Sequence, residues 1–302
     1  MIVGIGANVY DTLITLSDFP CEDTKMRADG VKVSGGGPCA TGLCAAAKLG
    51  AKAAFIGTLA DDVCGQFLMS DMAKYGLDNS FINTVSGYAA FTSYIWLNKK
   101  NATRTCVFDK GNIPPLELTA QQKNAIVASD ILMVDGNELD AAVNGAQIAN
   151  ANGTKVLYDA GGLYDGVERL LSLTDILIPS AEYAMGHTNT ADIETAARAL
   201  FEKYTLEIVV VTDGKNGGVM YDGNEVWHYP AFPVKAVDSN GAGDVFHGAF
   251  AFGMQMGYDY KKCCIFSSAV SALKCMGVGA RESMPSFEDV IEFLKERGIN
   301  EL

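Results

Sequence analysis

Between Ile131 and Thr212 the chain alternates short apolar runs with stretches of helical spacing, and few folds accept that pattern. The apolar runs are Ile131–Asp135, Lys155–Asp159, Asp175–Ile178 and Glu207–Thr212. Helices are predicted from Glu138 to Asn150, from beyond Asp159 through Leu171, from near Ser180, and from Asp192 to Tyr204. Strands joined through helices run parallel, and right-handed crossovers place helices on both faces of the sheet. The expected class is therefore α/β, with a parallel sheet between helices. Ile2–Gly6 and Ala53–Gly57 read as further buried strands. Helices are expected over Cys39–Gly50, with Pro38 suited to a first helical position, and over Asp62–Tyr75, ended by Gly76. Thr119-Ala120-Gln121-Gln122 and Ser286-Phe287-Glu288-Asp289 are capping boxes opening two more. Gly217–Tyr221 and Glu225–Tyr229, joined by Asp222-Gly223-Asn224, read as an antiparallel edge hairpin. Two stretches, about 12–33 and 87–110, break the rhythm. The second holds the strands Ala89–Leu97 and Thr103–Phe108 around the polar turn Asn98-Lys99-Lys100-Asn101. Both fit a small flap better than a core layer. With no repeat or linker, residues 1–302 are expected to form one domain.

The richest stretch for chemistry is Asp238-Ser239-Asn240-Gly241-Ala242-Gly243-Asp244. Before it, Pro230, Pro233, Val234 and Val237 read as extended chain. After it, Val245, Ala249, Phe252 and Met256 have helical spacing, and Phe246 and Phe250 make the helix apolar nearly all round, hence buried. Gly241, Ala242 and Gly243 then leave bare N–H groups at the positive end of a helix, a site for an anion such as phosphate. Asp244 would repel that anion in a purely binding role. It makes sense as a base taking a proton from a hydroxyl that attacks the phosphate. The plain alternative is an Asp that complements the helix dipole after a Gly-rich turn. A second Gly-rich loop, Ser34-Gly35-Gly36-Gly37-Pro38, opens the helix at Cys39, either for a ligand to approach or for close packing alone.

The net charge of −13 argues against nucleic acid or an anionic membrane as the main partner. No apolar run is long enough to span a bilayer, and the N-terminus lacks the basic segment of a signal peptide. The eight cysteines show no Cys-x-x-Cys pair and read as buried thiols of a reducing cytoplasm. His187, His228 and His247 are too scattered for a metal site.

The Asp238–Asp244 stretch resembles the Asp-Thr-x-Gly-Ala-Gly-Asp signature of the ribokinase-like family, the PfkB carbohydrate kinases. Gly36-Gly37 leading to Thr41, followed by Gly57-x-x-x-x-Asp62, is similar to the family's second motif. The resemblance covers essentially the whole chain. It implies a ribokinase-like three-layer parallel sheet flanked by helices, with a small β-sheet lid from two insertions, in agreement with the two flap stretches. It implies Asp244 as the catalytic base and Gly241, Ala242 and Gly243 as the anion hole. Sugar binding falls to Asp11, Gly36, Gly37 and Thr41, where several members carry an Asn, with Asn137 a weaker candidate. Thr212, Gly214 and Gly217 would lie along ATP and Ser267 near adenine. Asp238, Asn240, Gly279 and Ser283 lie where many members hold a monovalent cation such as K⁺, although Asp238 could equally fix its loop by hydrogen bonds. Many members carry Asn-x-x-Glu near Mg²⁺. Here the stretch reads Pro179-Ser180-Ala181-Glu182-Tyr183, which leaves indirect ligation through Glu182.

The reading that follows is an ATP- and Mg²⁺-dependent kinase acting on a hydroxymethyl group of a sugar or sugar derivative. A nucleoside kinase would use Phe91, Tyr94, Trp96 or Phe108 for stacking. An acidic sugar would be met by Lys25, Arg27, Arg104 or Lys110. A non-catalytic sugar or nucleotide sensor is the alternative from another class. An exposed lid edge would suit pairing with a second copy of the chain.

Overall fold

Every strand that the alternation predicts is present in the computed structural model, which describes residues 1–100, 103–162 and 165–300. In chain order the first elements are β1 (Ile2–Ile5), β2 (Val9–Leu16), β3 (Gly30–Gly36), α1 (Pro38–Leu49), β4 (Ala53–Ala60), α2 (Val63–Lys74), β5 (Ile82–Val85), β6 (Thr92–Asn98) and β7 (Thr103–Asp109). The alternating region gives α3 (Ala120–Val127), β8 (Ile131–Val134), α4 (Leu139–Asn152), β9 (Lys155–Ala160), α5 (Glu168–Leu171), β10 (Ile176–Pro179), α6 (Ala181–Thr188), α7 (Ile193–Lys203) and β11 (Ile208–Thr212). β12 (Gly218–Tyr221), β13 (Val226–Tyr229), α8 (Ala242–Gln255), α9 (Tyr260–Lys274) and α10 (Phe287–Lys295) complete the described fold.

The large sheet has the order β13-β12-β11-β10-β9-β8-β1-β4-β5. It is parallel from β11 to β5, and β12 and β13 add the antiparallel edge hairpin. Strand residues alternate between two cores, as the pleat requires. Met133, Leu157, Ile178 and Val210 face α1, α2, α8, α9 and α10. Leu132, Val156, Leu177 and Val209 face α3 to α7. α8 is buried as its all-round apolar character demands, with Val245, Phe246, Ala249 and Phe250 all within the first core. It lies so close to α1 that a Cβ on Gly248 would overlap the Gly42 carbonyl.

The second sheet is the lid, in the order β3-β2-β6-β7, with β2 and β6 parallel and the outer pairs antiparallel. It begins at Val9, three residues before the expected flap, because the chain passes from β1 into β2 after only Gly6, Ala7 and Asn8. The predicted turn residue Asn101 lies outside the described residues. Two other differences have local causes. The helix expected through Leu171 shrinks to α5, since Gly161, Gly162 and Gly166 offer no helical propensity and Gly166 has φ 79°; residues 163 and 164 are outside the description. β5 escaped the sequence because Ile82-Asn83-Thr84-Val85 is short, half polar and at the sheet edge.

Candidate active site

The site lies beyond the carboxyl ends of the parallel strands, where open α/β sheets bind ligands. Asp135 follows β8, Asp159 lies in the last turn of β9, Ser180 follows β10 and Thr212 ends β11. These four line one cavity of about 280 Å³ together with Gly241, Ala242, Gly243, Asp244, His247 and, from the lid, Arg104. Asp135 ties the floor together: its carboxylate accepts hydrogen bonds from the amides of Ala7, Cys39 and Asn137 at 2.8, 3.0 and 2.9 Å. Sequence reading missed Asp159 and Asp135 as site residues. The available signal was that each ends or follows a buried parallel strand.

Gly241 caps α8 in the left-handed region with φ 76°, the conformation glycine adopts without strain. The Ala242 amide is turned to the Ser239 carbonyl at 3.2 Å, so it is not bare. Among the described residues the amides of Gly241, Gly243 and Asp244 have no protein acceptor. Of the three amides expected to be bare, those of Gly241 and Gly243 are, Ala242's is not, and Asp244 adds another, so that two consecutive free amides, Gly243 and Asp244, lie at the cavity. Burial pushes the Asp244 carboxyl up, nearby Asp135 adds to this, and His247, Arg104 and Lys274 oppose it. A carboxylate whose pKa is raised is, in its ionised form, the stronger proton acceptor. Asp159 is driven well up by burial and by the Asp244 and Asp135 charges. Its buried Oδ2 accepts no hydrogen bond among the described residues. His247 Nδ1 lies 3.1 Å from that oxygen and 2.6 Å from the Gly243 carbonyl oxygen, with Nε2 2.9 Å from the Ile178 carbonyl oxygen. Burial pulls the ring toward neutrality, but only the imidazolium satisfies both carbonyls.

A second cavity, about 190 Å³, meets the first at Asp244. Asp11, Gly36, Gly37, Ser93, Phe91, Phe108, Asn137 and Asn240 line it. Asp11 sits on the lid strand β2, not at the sheet edge, and is buried. It accepts a hydrogen bond from Ser93 Oγ at 2.5 Å. Burial pushes its carboxyl up to about 6, and Asp244 and Glu282 add to this, while Ser93 and Arg281 restrain it. A Cβ on Gly36 would overlap the Asp11 carboxylate. Thr41 is not in this cavity. It is fully buried, and its Oγ1 accepts from Arg281 Nε at 3.3 Å. Arg281, also fully buried, donates as well to Asn8 Oδ1, the Gly36 carbonyl and Asp71 Oδ2 at 2.9, 2.6 and 3.1 Å. It braces Gly36 and Asn8 from behind. No local pattern marked this residue. Lys110 lines the cavity, whereas the exposed Lys25 and Arg27 line none of the described cavities; Tyr94 and Trp96 are on the far face of the lid. Cys21 and Cys106 are exposed, against the expectation of buried thiols, and Cys106 borders the cavity.

The third cavity, about 430 Å³, shares Ala242 and Gly243 with the first. Thr212, Gly214 and Gly217 line it as expected, with Lys215, Phe232 and Val234. Ser267 does not: it is fully buried, and Ser268, Ser271 and Ala272 present the facing side of α9. Glu182 is exposed in the first turn of α6 and lines none of the described cavities. The order across the site is therefore Asp11, Asp244, free amides, and then the apolar cleft.

Comparison with known proteins agrees with this layout. The model of the pfkB family carbohydrate kinases matches residues 1–286. Haemophilus influenzae ribokinase is 29% identical over 301 residues, covering 96% of this chain and 97% of the relative. The 5-dehydro-2-deoxygluconokinase of Clostridium perfringens is 29% identical over 293 residues, covering 88% of this chain and 85% of that protein. Arabidopsis thaliana ribokinase, solved with ribose and ATP, superposes with a TM-score of 0.87 at 23% identity, covering 97% of this chain and 98% of that one. No helix among the described residues is long and apolar enough to cross a membrane. A ribokinase fold that carries a buried helix mouth and an adjacent aspartate at its sheet edge, matched by the family model over nearly its whole length, belongs to the pfkB family of carbohydrate kinases.

Proposed function

We propose that this chain transfers the γ-phosphoryl group of ATP to a hydroxymethyl group of a sugar or sugar derivative. The observation that carries this reading is the series of three joined cavities, with Asp244 shared by the first and second and Gly243 shared by the first and third. In that order Asp11 accepts hydrogen bonds from sugar hydroxyls in the cavity under the lid. Asp244 takes the proton of the attacking hydroxyl. The amides of Gly243 and Asp244 receive the negative charge that develops on the transferred group, already oriented for it. Arg104, brought over the same cavity by β7, adds positive charge there. Thr212, Gly214 and Gly217 flank the nucleotide. The apolar wall of Phe232 and Val234 suits a base.

Mg²⁺ accompanies ATP in this reading. Asp159 Oδ2, which accepts no hydrogen bond among the described residues and lies 3.1 Å from His247 Nδ1, is buried in the central cavity and fits a hard divalent ion and its waters better than the exposed Glu182 does. The ion would offset charge on the ATP phosphates. Asp159 and Asp244 would hold its water shell from the protein side.

The outer lid face supports a homodimer. Val31, Tyr94 and Val107 are 66, 49 and 52% exposed on one face of the lid, with Ile14, Val33 and Trp96 between them. A contiguous apolar sheet face of this kind is covered in solution by a second copy.

A cavity of about 340 Å³ adjoins the sugar site through Ala7, Phe91, Lys110 and Asn137. It gives room for a substituted sugar. The test is ADP release with Mg²⁺-ATP across pentoses, hexoses, keto-sugar acids and nucleosides. Stimulation by one of the sugars supports the reading, stimulation by nucleosides alone supports the alternative acceptor, and stimulation by none overturns kinase activity.

A further inference from the structure

Most of the oxygens that the family resemblance offers to a monovalent cation already accept from protein donors. Asp238 Oδ1 accepts from the Asn240 amide at 2.8 Å and Oδ2 from the Gly279 amide at 2.9 Å. The Gly279 carbonyl accepts from Ser283 Oγ at 2.7 Å. The Cys275 carbonyl accepts from the amides of Val237 and Asp238 at 2.7 and 3.2 Å. Asn240 lines the sugar cavity. The Asp238 main-chain carbonyl is bound by an ammonium, Lys274 Nζ, at 2.8 Å.

Lys274 is the last residue of α9 and is fully buried, the rarest environment for a lysine. A buried charge persists where an opposite charge faces it. Burial pulls the lysine down from its ordinary value, and the Asp238 charge first, then Asp244, act against this to keep it protonated. The region therefore already holds the Lys274 ammonium against the Asp238 carboxylate, and a further monovalent cation would add charge where most of the candidate oxygens already accept a protein donor.

We propose that the Lys274 ammonium is a tethered substitute for a monovalent cation, bracing the Asp238–Gly241 loop so that the anion hole forms without K⁺. Lys274 is a positioning residue in this role. It touches neither nucleotide nor sugar and acts through the Asp238 carbonyl on the loop that leads into α8. The proposal rests on the kinase reading for its activity arm alone.

The test compares wild type, Lys274→Ala and Lys274→Arg in KCl, NaCl and tetramethylammonium chloride at equal ionic strength. Thermal unfolding and ATP affinity are measured first, then ADP release. Wild type is expected to unfold at one temperature and bind ATP equally in all three salts, with turnover varying by less than about twofold. Lys274→Ala is expected to lose at least about tenfold in ATP affinity or turnover in NaCl and tetramethylammonium, and to regain most of it in KCl. Lys274→Arg keeps the charge and is expected to remain indifferent to the salt. Stabilisation or tenfold activation of wild type by K⁺ overturns the proposal. So does a folded Lys274→Ala that K⁺ does not rescue. Should the alanine variant fail to fold, the wild-type salt comparison alone decides. Absence of ADP release in every salt, with unfolding still indifferent to K⁺, removes the kinase reading but leaves the assignment of the ammonium standing.

Discussion

Asp11 gives the sharpest quantitative handle on the site, because its function and its stability pull in opposite directions. Its carboxyl rises from an ordinary value of 3.8 to about 6 on folding. The sign follows from proton linkage. Below pH 4 the group is protonated in both folded and unfolded chains and costs nothing. Between pH 4 and 6 the folded state holds the extra proton. Across that range each pH unit removes about 1.36 kcal/mol of stability, and above pH 6 the group is ionised in both states and the cost is constant. Roughly 2 pKa units at 1.36 kcal/mol each make the full cost about 3 kcal/mol at neutral pH. Replacing Asp11 with Asn removes the charge and keeps an oxygen for the Ser93 hydroxyl. The Asp11→Asn chain should therefore gain about 3 kcal/mol at pH 7. For a chain of this length that raises the unfolding temperature by about 5 °C. The gain should shrink toward zero near pH 4. Sugar-induced stabilisation should vanish in the same variant, since the carboxylate that receives the hydroxyls is gone. The assay is thermal unfolding from pH 4 to 8, with and without the sugar found by ADP release. A variant less stable than wild type at pH 7 would refute this account of a strained carboxylate. So would a gain that does not change with pH.

Four further outcomes are expected. Gly248→Ala forces a methyl into the Gly42 carbonyl and should cost roughly 1–3 kcal/mol, seen as a lowered urea midpoint. Gly36→Ala should raise KM for the sugar at least about tenfold with a smaller change in KM for ATP, read from initial rates, because its Cβ displaces Asp11. Asp159→Asn should weaken Mn²⁺ binding to the ATP complex by at least about tenfold, measured by electron paramagnetic resonance, while metal-free ATP binding stays near wild type. Tyr94→Lys with Val107→Lys should convert a dimer to monomers in sedimentation velocity, since both residues stand on the exposed lid face.

Most of the architecture was legible from periodicity. The strands from Ile131 to Thr212 are continuous apolar runs because both faces of the sheet are covered, and this signature belongs to parallel sheets. The mouth of α8 was legible for a different reason, since glycine before an all-apolar helix leaves few other roles. What remained hidden depends on contacts between residues remote in the chain. Arg281 gains its meaning only when β3, α1 and α2 converge on it. Asp159 looks like any strand-end aspartate until Asp244 faces it. Thr41 and Ser267 each lie on a helix that touches the site, but one residue of rotation turns a lining side chain into a buried one. Which amides are bare differs by one residue from the reading, because the tight turn at Gly241 sends the Ala242 N–H back to Ser239. Lys274 carried no signal at all, for a lysine in a helical pattern reads as solvated until the fold encloses it.

The central claim is that Asp244 passes a proton while the helix mouth holds the phosphoryl group. Its most direct test is Asp244→Asn, assayed for ATP affinity by calorimetry and for turnover by ADP release with the best acceptor. The account predicts ATP affinity within a few-fold of wild type and turnover lower by roughly 10²–10⁴. Turnover near the wild-type rate would contradict it, whatever the affinity.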